Sequence, residues 1–255
     1  MTDLKKCDLA KQLSFRLQNV LALVKSTGTV ADVGCDHGYV AISLIQQKKA
    51  FRVIAMDVRK GPLHQASEHI IQYGLENVIE TRLSDGVAAL KPGEAQAMIC
   101  AGMGGPLMIG ILERGEAVVS RMEELILQPQ SEIASVREWI RKNGYCIEEE
   151  RMVCEEGKYY PMFRIIPDKN EKPALQNKPD WEQCMEDRYG PKLLAQQDMV
   201  LFQFLQKEEK AYKAILQELE GNRTQNAGNR KGQIMQYLQD IEKIKTHYYA
   251  DRSTV

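Results

Sequence analysis

The sequence predicts an α/β fold: a mostly parallel, doubly wound sheet with an antiparallel hairpin at one edge, followed by a helical hairpin of coiled-coil type. Three observations predict it. Short apolar runs alternate with helix-period segments over residues 30–142, two strand-like stretches follow Gly144, and apolar positions recur every seven residues toward the end of the chain.

The elements follow in order. From Leu9, the residues Leu13, Leu17, Val20, Leu21 and Val24 recur at three- and four-residue steps, the pattern of an amphipathic helix that stops before Gly28. Residues 30–33 are the first strand, with a helix over 39–47; residues 52–56 are the second, with a helix over 63–73. Three further strands are expected at 78–83, 97–101 and 125–127, and another helix at 132–142. Strands alternating with helices pair in parallel through crossovers. Residues 145–153 and 159–166, joined by Glu155-Glu156-Gly157-Lys158, read as the edge hairpin. The polar, proline-bearing segment from Pro167 to Pro173 marks a boundary, with one domain expected at 1–168 and a second at 169–255. In the second, Leu201, Glu208 and Ile215 share one heptad position, and Leu205, Tyr212 and Leu219 another. Beyond a polar connector over 221–232, Ile234, Ile241 and Tyr248 repeat the spacing.

Composition narrows the function. The 255 residues carry 34 Lys and Arg against 35 Asp and Glu, a net charge of −1, which excludes a bulk polycation. With 44% hydrophobic and 27% charged residues, the chain is neither disordered nor short of core material. No apolar run nears the roughly 20 residues that span a bilayer, and the opening residues alternate charged with apolar rather than resembling a secretion signal. Six cysteines without a C-x-x-C pair suggest neither a zinc site nor a disulfide framework. The expectation is a soluble, cytoplasmic monomer with reduced thiols, no metal and no membrane association.

In an open parallel sheet, ligands bind beyond the carboxyl ends of the strands, so the chemistry is sought where each apolar run stops. Four stops are unusual: Asp32-Val33-Gly34-Cys35-Asp36-His37-Gly38, then Asp57, then Ser84-Asp85-Gly86, then Ala101-Gly102-Met103-Gly104-Gly105-Pro106. The glycines allow a sharp strand-to-helix turn and close backbone approach to a ligand. The third glycine of a dinucleotide fingerprint is missing, and carboxylates stand at Asp32 and Asp36, where they would repel a pyrophosphate. S-adenosylmethionine has a sulfonium, an ammonium and no phosphate, so the pattern favours it over a dinucleotide. Asp57 is then placed to accept the ribose hydroxyls and Asp85 the adenine amino edge.

These motifs, with Lys60-Gly61-Pro62-Leu63 and Leu127-Gln128-Pro129, resemble the motif series of the bacterial tRNA (adenine-22-N1)-methyltransferases, the TrmK family, over residues 9–166. The hairpin introduced by Tyr189-Gly190-Pro191 is similar to that family's coiled-coil appendage. The resemblance implies a Rossmann-like class I methyltransferase sheet, S-adenosylmethionine as donor, tRNA as partner, and methylation of adenine N1 in the D-arm region. Gln130 departs from the Asn expected after Gln-Pro.

Motifs and resemblance together give a cofactor-binding set of Asp32, Gly34, Cys35, Asp36, His37, Gly38, Asp57, Val58, Asp85, Gly86, Ala101 and Gly102. The tRNA-contacting set is Arg16, Gly105, Gln128, Lys158, Tyr159 and Tyr160. His37, Met103, Gly104 and Tyr160 are the candidates for a catalytic role. Adenine N1 is a free lone pair at neutral pH, so alignment matters more than base catalysis, and His37 reads better as a pocket-shaping residue. The loop from Gly102 lacks the acceptor side chain that amino-group methyltransferases place there, which suits a ring nitrogen as the target, with loop carbonyls left for the adenine amino group. Tyr159 and Tyr160 read either as a stacking platform for an extruded base or as half-buried edge-strand residues. Cys35 and Cys100 read as small buried side chains rather than nucleophiles.

Local basicity marks where RNA would lie. Residues 1–30 hold Lys5, Lys6, Lys11, Arg16 and Lys25 against Asp3 and Asp8; residues 221–249 hold Arg223, Arg230, Lys231, Lys243 and Lys245 against Asp240 and Glu242. A rival reading keeps fold and donor but targets a protein or small molecule, with the hairpin serving dimerisation.

Overall fold

The structure, a computed structural model, describes residues 9, 13–167, 179–219 and 225–250. In chain order the elements are α1 (Phe15–Leu23), β1 (Thr29–Val33), α2 (Tyr39–Gln46), β2 (Arg52–Asp57), α3 (Lys60–Gln72), β3 (Ile79–Leu83), β4 (Ala97–Met103), α4 (Gly105–Arg114), α5 (Glu116–Val119), β5 (Glu124–Pro129), α6 (Ile133–Lys142), β6 (Tyr145–Glu155), β7 (Lys158–Pro167), α7 (Asp180–Tyr189), α8 (Pro191–Ala195), α9 (Met199–Leu219) and α10 (Gln225–Tyr248). Two units are distinguished, Met1–Gln176 and Asn177–Val255. The expected boundary at 168–169, Cys7, and the basic residues Lys5, Lys6, Lys11 and Arg223 lie outside the described residues.

In the first unit, seven strands form one sheet in the order β3-β2-β1-β4-β5-β7-β6. The first five are parallel; β7 runs antiparallel to both β5 and β6. The chain builds outward from β1 through β2 to β3, then returns to pair β4 with the other side of β1. That reversal opens a crevice at the carboxyl ends of β1 and β4.

Alternating side chains divide the buried residues between two cores. Val30, Val53 and Ile126 face one side with Leu21, Ile42 and Ile70 of the helices. Ala31, Ile54, Leu125 and Leu127 face the other with Met108, Leu112, Val136 and Ile140. A sheet covered on both faces requires strands apolar on both faces, which is why these runs are continuous rather than alternating. Each fully buried Leu or Ile contributes about 1.5–3 kcal/mol over its exposed state.

Local chemistry sets the ends of several elements. Ser14 caps α1 by accepting a hydrogen bond from the Leu17 N–H at 3.3 Å. At the hairpin tip, Glu155 pairs with Lys158, and Glu156 and Gly157 have φ of 50° and 74°. Two left-handed residues in a two-residue loop match the twist of the flanking strands. Arg137 on α6 and Glu150 on β6 form a fully buried ion pair at 2.8 Å that fixes α6 against the antiparallel edge.

In the second unit, α9 and α10 pack as an antiparallel hairpin, with Leu201 and Leu205 facing Ile234, Ile241 and Ile244 from a buried seam. The Tyr249 hydroxyl donates to the Asp198 carbonyl at 3.1 Å, joining the end of one helix to the start of the other. The Arg188 guanidinium sits over the Tyr189 and Tyr237 rings at 4.9 and 4.4 Å.

Four features correct the sequence reading. Helices α4 and α5 lie between β4 and β5, and α7 and α8 precede α9; none was foreseen. Strands β4 and β5 run two residues past their apolar runs, because Gly102, Met103, Gln128 and Pro129 continue the ladder without continuing the hydrophobicity. The stretch expected as a connector over 221–232 is helical from Gln225 onward. Its Asn and Gly residues favour a loop, but burial of Ala227 and Ile234 against α9 overrides that propensity.

Candidate active site

The strand ends on either side of the reversal enclose a cavity of about 510 Å³. The loop after β1 turns sharply: the Gly34 and Cys35 N–H groups both donate to the Met56 carbonyl, at 2.8 and 2.9 Å, and Gly38 N–H donates to the Cys35 carbonyl at 2.8 Å. Gly34 has φ of 76°, where an L side chain is strained, and a Cβ there would also push the Met103 methyl aside. The turn aims Asp32, Cys35, Asp36 and His37 at the cavity wall.

Three carboxylates mark the wall at successive strands. Asp32 is 4% exposed, and its Oδ2 has no hydrogen-bond partner among the described residues. Burial pushes its carboxyl up to about 7; the Ala41 N–H opposes this and the charge of Asp57 adds to it. Asp57, 5% exposed, accepts a hydrogen bond from the Arg59 N–H at 2.8 Å, which orients the carboxylate at the end of β2. Asp85 is largely exposed and pairs loosely with Arg114 at 3.5 Å. Beside it, the Ser84 hydroxyl donates to the Gly86 carbonyl and accepts from the Ala89 N–H, tying the loop into a turn. His37 stands 3.6 Å from Asp36, both half exposed. The Cys35 and Cys100 thiols are pushed up by burial and by Asp32, Cys100 to about 12, so neither is a nucleophile at neutral pH.

The opposite wall comes from α1, β4 and the segment after β5. Arg16 is held at three points: its Nη1 donates to the Gln128 Oε1 at 2.6 Å, its backbone N–H to the Glu155 carboxylate at 3.3 Å, and its guanidinium lies 5.5 Å from the Tyr160 ring centroid. A charged donor so fixed loses little freedom when it meets an acceptor. Gly102, Met103, Leu107 and Gln130 complete this side.

Of the expected cofactor residues, Asp32, Gly34, Cys35, Asp36, His37, Asp57, Val58, Asp85, Gly86, Ala101 and Gly102 line the cavity; Gly38 sits behind it as the residue before α2. The expected tRNA-contacting residues divide differently. Arg16 lines the cavity, but Gln128 does not: it is wholly buried, with its amide shared between Arg16 and the Pro129 carbonyl, so it is a support for Arg16. Tyr160 is partly buried against the first core, with the Arg16 guanidinium 5.5 Å from its ring centroid. Lys158 and Tyr159 belong to the hairpin tip, away from the cavity wall. Gly104 and Gly105 are withdrawn against the segment before α6, where Gly105 N–H donates to the Ser131 carbonyl at 3.1 Å. The Met103 carbonyl already accepts from the Gln130 N–H at 2.8 Å. Sequence reasoning missed Tyr39, Arg59, Leu107 and Ile111 as lining residues, and treated Gln130 only as a departure. Leu107 and Ile111 belong to the unforeseen α4, and Arg59 follows Asp57 by two residues.

The chemistry of this donor set fits S-adenosylmethionine. A buried carboxylate with one oxygen unpartnered among the described residues suits a cation, and two further acidic strand ends suit hydroxyl and amino donors.

Comparison with known proteins gives the same direction. A family model described as a methyltransferase domain matches residues 13–163. The tRNA (adenine(22)-N(1))-methyltransferase of Bacillus subtilis (strain 168) is 37% identical over 152 residues, which span 60% of this chain and 64% of that relative. Among solved structures, the B. subtilis m1A22 tRNA methyltransferase TrmK superposes with a TM-score of 0.78 at 27% identity, covering 91% of this chain and 98% of the other. Sp1610 of Streptococcus pneumoniae, in complex with S-adenosyl-L-methionine, does so with a TM-score of 0.77 at 28% identity, covering 91% and 99%.

Proposed function

The chain belongs to the methyltransferase-domain family, and from that premise we propose that it transfers a methyl group from S-adenosylmethionine to N1 of adenine 22 in the D-arm region of tRNA. The observation that carries the donor assignment is the unpartnered Asp32 carboxylate oxygen in a cavity that Asp57 and Asp85 also border. The target rests on similarity to enzymes described as acting on that adenine, a likeness that extends by structure beyond residues 13–163 to 91% of the chain.

When bound, S-adenosylmethionine supplies an electrophilic methyl group. Asp32 holds its cationic end, Asp57 its ribose hydroxyls and Asp85 its adenine edge. Arg16, Gly102, Met103 and Gln130 border the entering base and exclude water from its ring nitrogen. No group is required to remove a proton from N1 before reaction, so the acceleration comes from alignment, for which rigid supports such as Gln128 beneath Arg16 are suited. The second unit serves as the tRNA tether. Lys245 is neutralised by Glu209 and Lys243 rests on the Trp181 ring at 3.6 Å; near the start of α10, Arg230 is exposed and Lys231 half-buried.

The test is methyl transfer from labelled S-adenosylmethionine to unmodified bacterial tRNA transcripts, with nucleoside mass spectrometry and mapping of the product. 1-Methyladenosine in the D-arm is the expected result; donor binding without transfer to any tRNA would move the target to a protein or small molecule. Asp57→Ala should weaken donor binding by roughly 1.5–3 kcal/mol, the worth of hydrogen bonds to a charged acceptor, with the fold and tRNA affinity intact. Unchanged donor affinity by calorimetry would remove Asp57 from the ribose site.

A further inference from the structure

A second, smaller cavity of about 230 Å³ lies beside the first, lined by Leu9, Leu13, Tyr39, His69, Gln72 and Tyr73. Tyr39 lines both cavities. We propose that this second cavity receives the base of a nucleotide flanking the target adenine, so that the enzyme reads its tRNA at two adjacent bases. The inference rests on tRNA being the substrate.

Size, walls and polar groups support this occupant. The volume falls below the roughly 300–1,000 Å³ of pockets that enclose a drug-sized ligand, which suits a single base rather than a second nucleoside cofactor. The Tyr39 and His69 rings are stacked, with centroids 4.9 Å apart and planes at 17°, and the Tyr73 ring and two buried leucines supply further apolar surface. Bases stack on such rings whatever their identity.

His69 adds a polar preference. Its Nδ1 lies 2.9 Å from the His37 carbonyl oxygen. A carbonyl only accepts, so Nδ1 carries the proton and Nε2 of the neutral ring is left as an acceptor. An acceptor beside stacked rings favours a base with an exocyclic amino group, and the exposed Gln72 amide offers both a donor and a second acceptor. The same His69–His37 bond joins the second cavity to the turn that carries the donor-site residues Cys35 to His37, and with Tyr39 it makes the two cavities neighbours across one ring.

Steady-state kinetics of Gln72→Ala and Tyr73→Leu with tRNA test the proposal, alongside calorimetric titration of the donor. The expected result is a KM for tRNA raised about tenfold in Tyr73→Leu, the scale of one lost stacking contact, and about threefold or more in Gln72→Ala, the scale of a lost hydrogen bond, with kcat and donor affinity unchanged. A direct readout comes from tRNA carrying 2-aminopurine on either side of the target adenine: fluorescence should be quenched at one flanking position in the wild type and recover in Tyr73→Leu. If both variants keep the wild-type KM, or quenching is absent or persists in Tyr73→Leu, the second base site does not exist. A rise in the donor dissociation constant with no change in KM for tRNA would assign these residues to support of the donor loop and overturn the proposal. Failure of the wild type to methylate any tRNA would instead remove the reading on which the proposal rests.

Discussion

Replacing Asp32 with Asn is expected to stabilise the donor-free protein at neutral pH while abolishing donor binding. The carboxyl has an ordinary pKa of 3.8 and is raised by burial to about 7 in the folded chain. Below the lower value it is protonated folded or unfolded, and stability is unaffected. Between the two, the unfolded chain releases the proton and the folded chain keeps it, so stability falls as pH rises, by about 1.36 kcal/mol per pH unit, to a full loss of up to about 4 kcal/mol above pH 7. Asn cannot ionise and escapes that loss. Urea denaturation of both proteins near pH 4 and near pH 8 checks this: the advantage of Asp32→Asn should be small at the acid end and large at the alkaline end. An advantage independent of pH would mean that the folded carboxylate ionises at its ordinary value. Donor binding should show the converse. A cation placed against Asp32 draws its proton off, so donor affinity should climb with pH and level off near 7, with protons released on binding below that point.

The second large effect concerns stability alone. Glu150→Ala should cost about 3–5 kcal/mol, because it leaves the Arg137 guanidinium charged with its 2.8 Å carboxylate partner gone and no access to water. That is a sizeable part of the roughly 5–15 kcal/mol that holds a typical domain together. Replacing both partners, Glu150→Leu with Arg137→Met, should recover most of the loss, since an apolar pair of similar volume incurs no desolvation cost. The midpoints of urea denaturation for the two single variants and the double variant measure the coupling. A Glu150→Ala midpoint equal to that of the wild type would show that the pair is not desolvated in solution.

Both effects arise from buried charge, and buried charge is what the sequence disclosed least. Asp32 was legible as an acidic residue at a strand end, since the apolar run at residues 30–33 locates it. The unpartnered Oδ2 and the raised pKa depend on three-dimensional burial. Arg137 and Glu150 drew no notice in the sequence, because nothing local signals that α6 closes over β6. The parallel strands were legible wherever both faces are covered, for the apolar runs are then unbroken. They were underestimated where glycine, glutamine and proline extend a ladder, as in β4 and β5. Helix α4 was hidden because its first turn, Gly105-Pro106, belongs to a stretch whose glycines read as loop, and α10 because its first two turns are rich in Asn and Gly. Among the site residues, the acidic ones were placed by strand ends. Gln128 came from a motif resemblance and Tyr160 from its residue type, and neither signal reveals that the Gln128 amide and the Tyr160 ring both adjoin Arg16.

The reversal of strand order about β1 has a consequence for redesign. The carboxylates proposed to hold the donor all stand at the ends of β1, β2 and β3, whereas Arg16, Gly102, Met103 and Gln130 come from α1, β4 and the segment after β5. The two inventories stand on opposite sides of the crevice and meet where the Met103 methyl lies against Gly34. Changes at Arg16 and Gln130, which lie away from that contact, should leave the donor side's geometry in place, so the acceptor can be altered there without rebuilding the donor site. An engineer seeking a new acceptor can confine a library to those two positions and keep the first set constant.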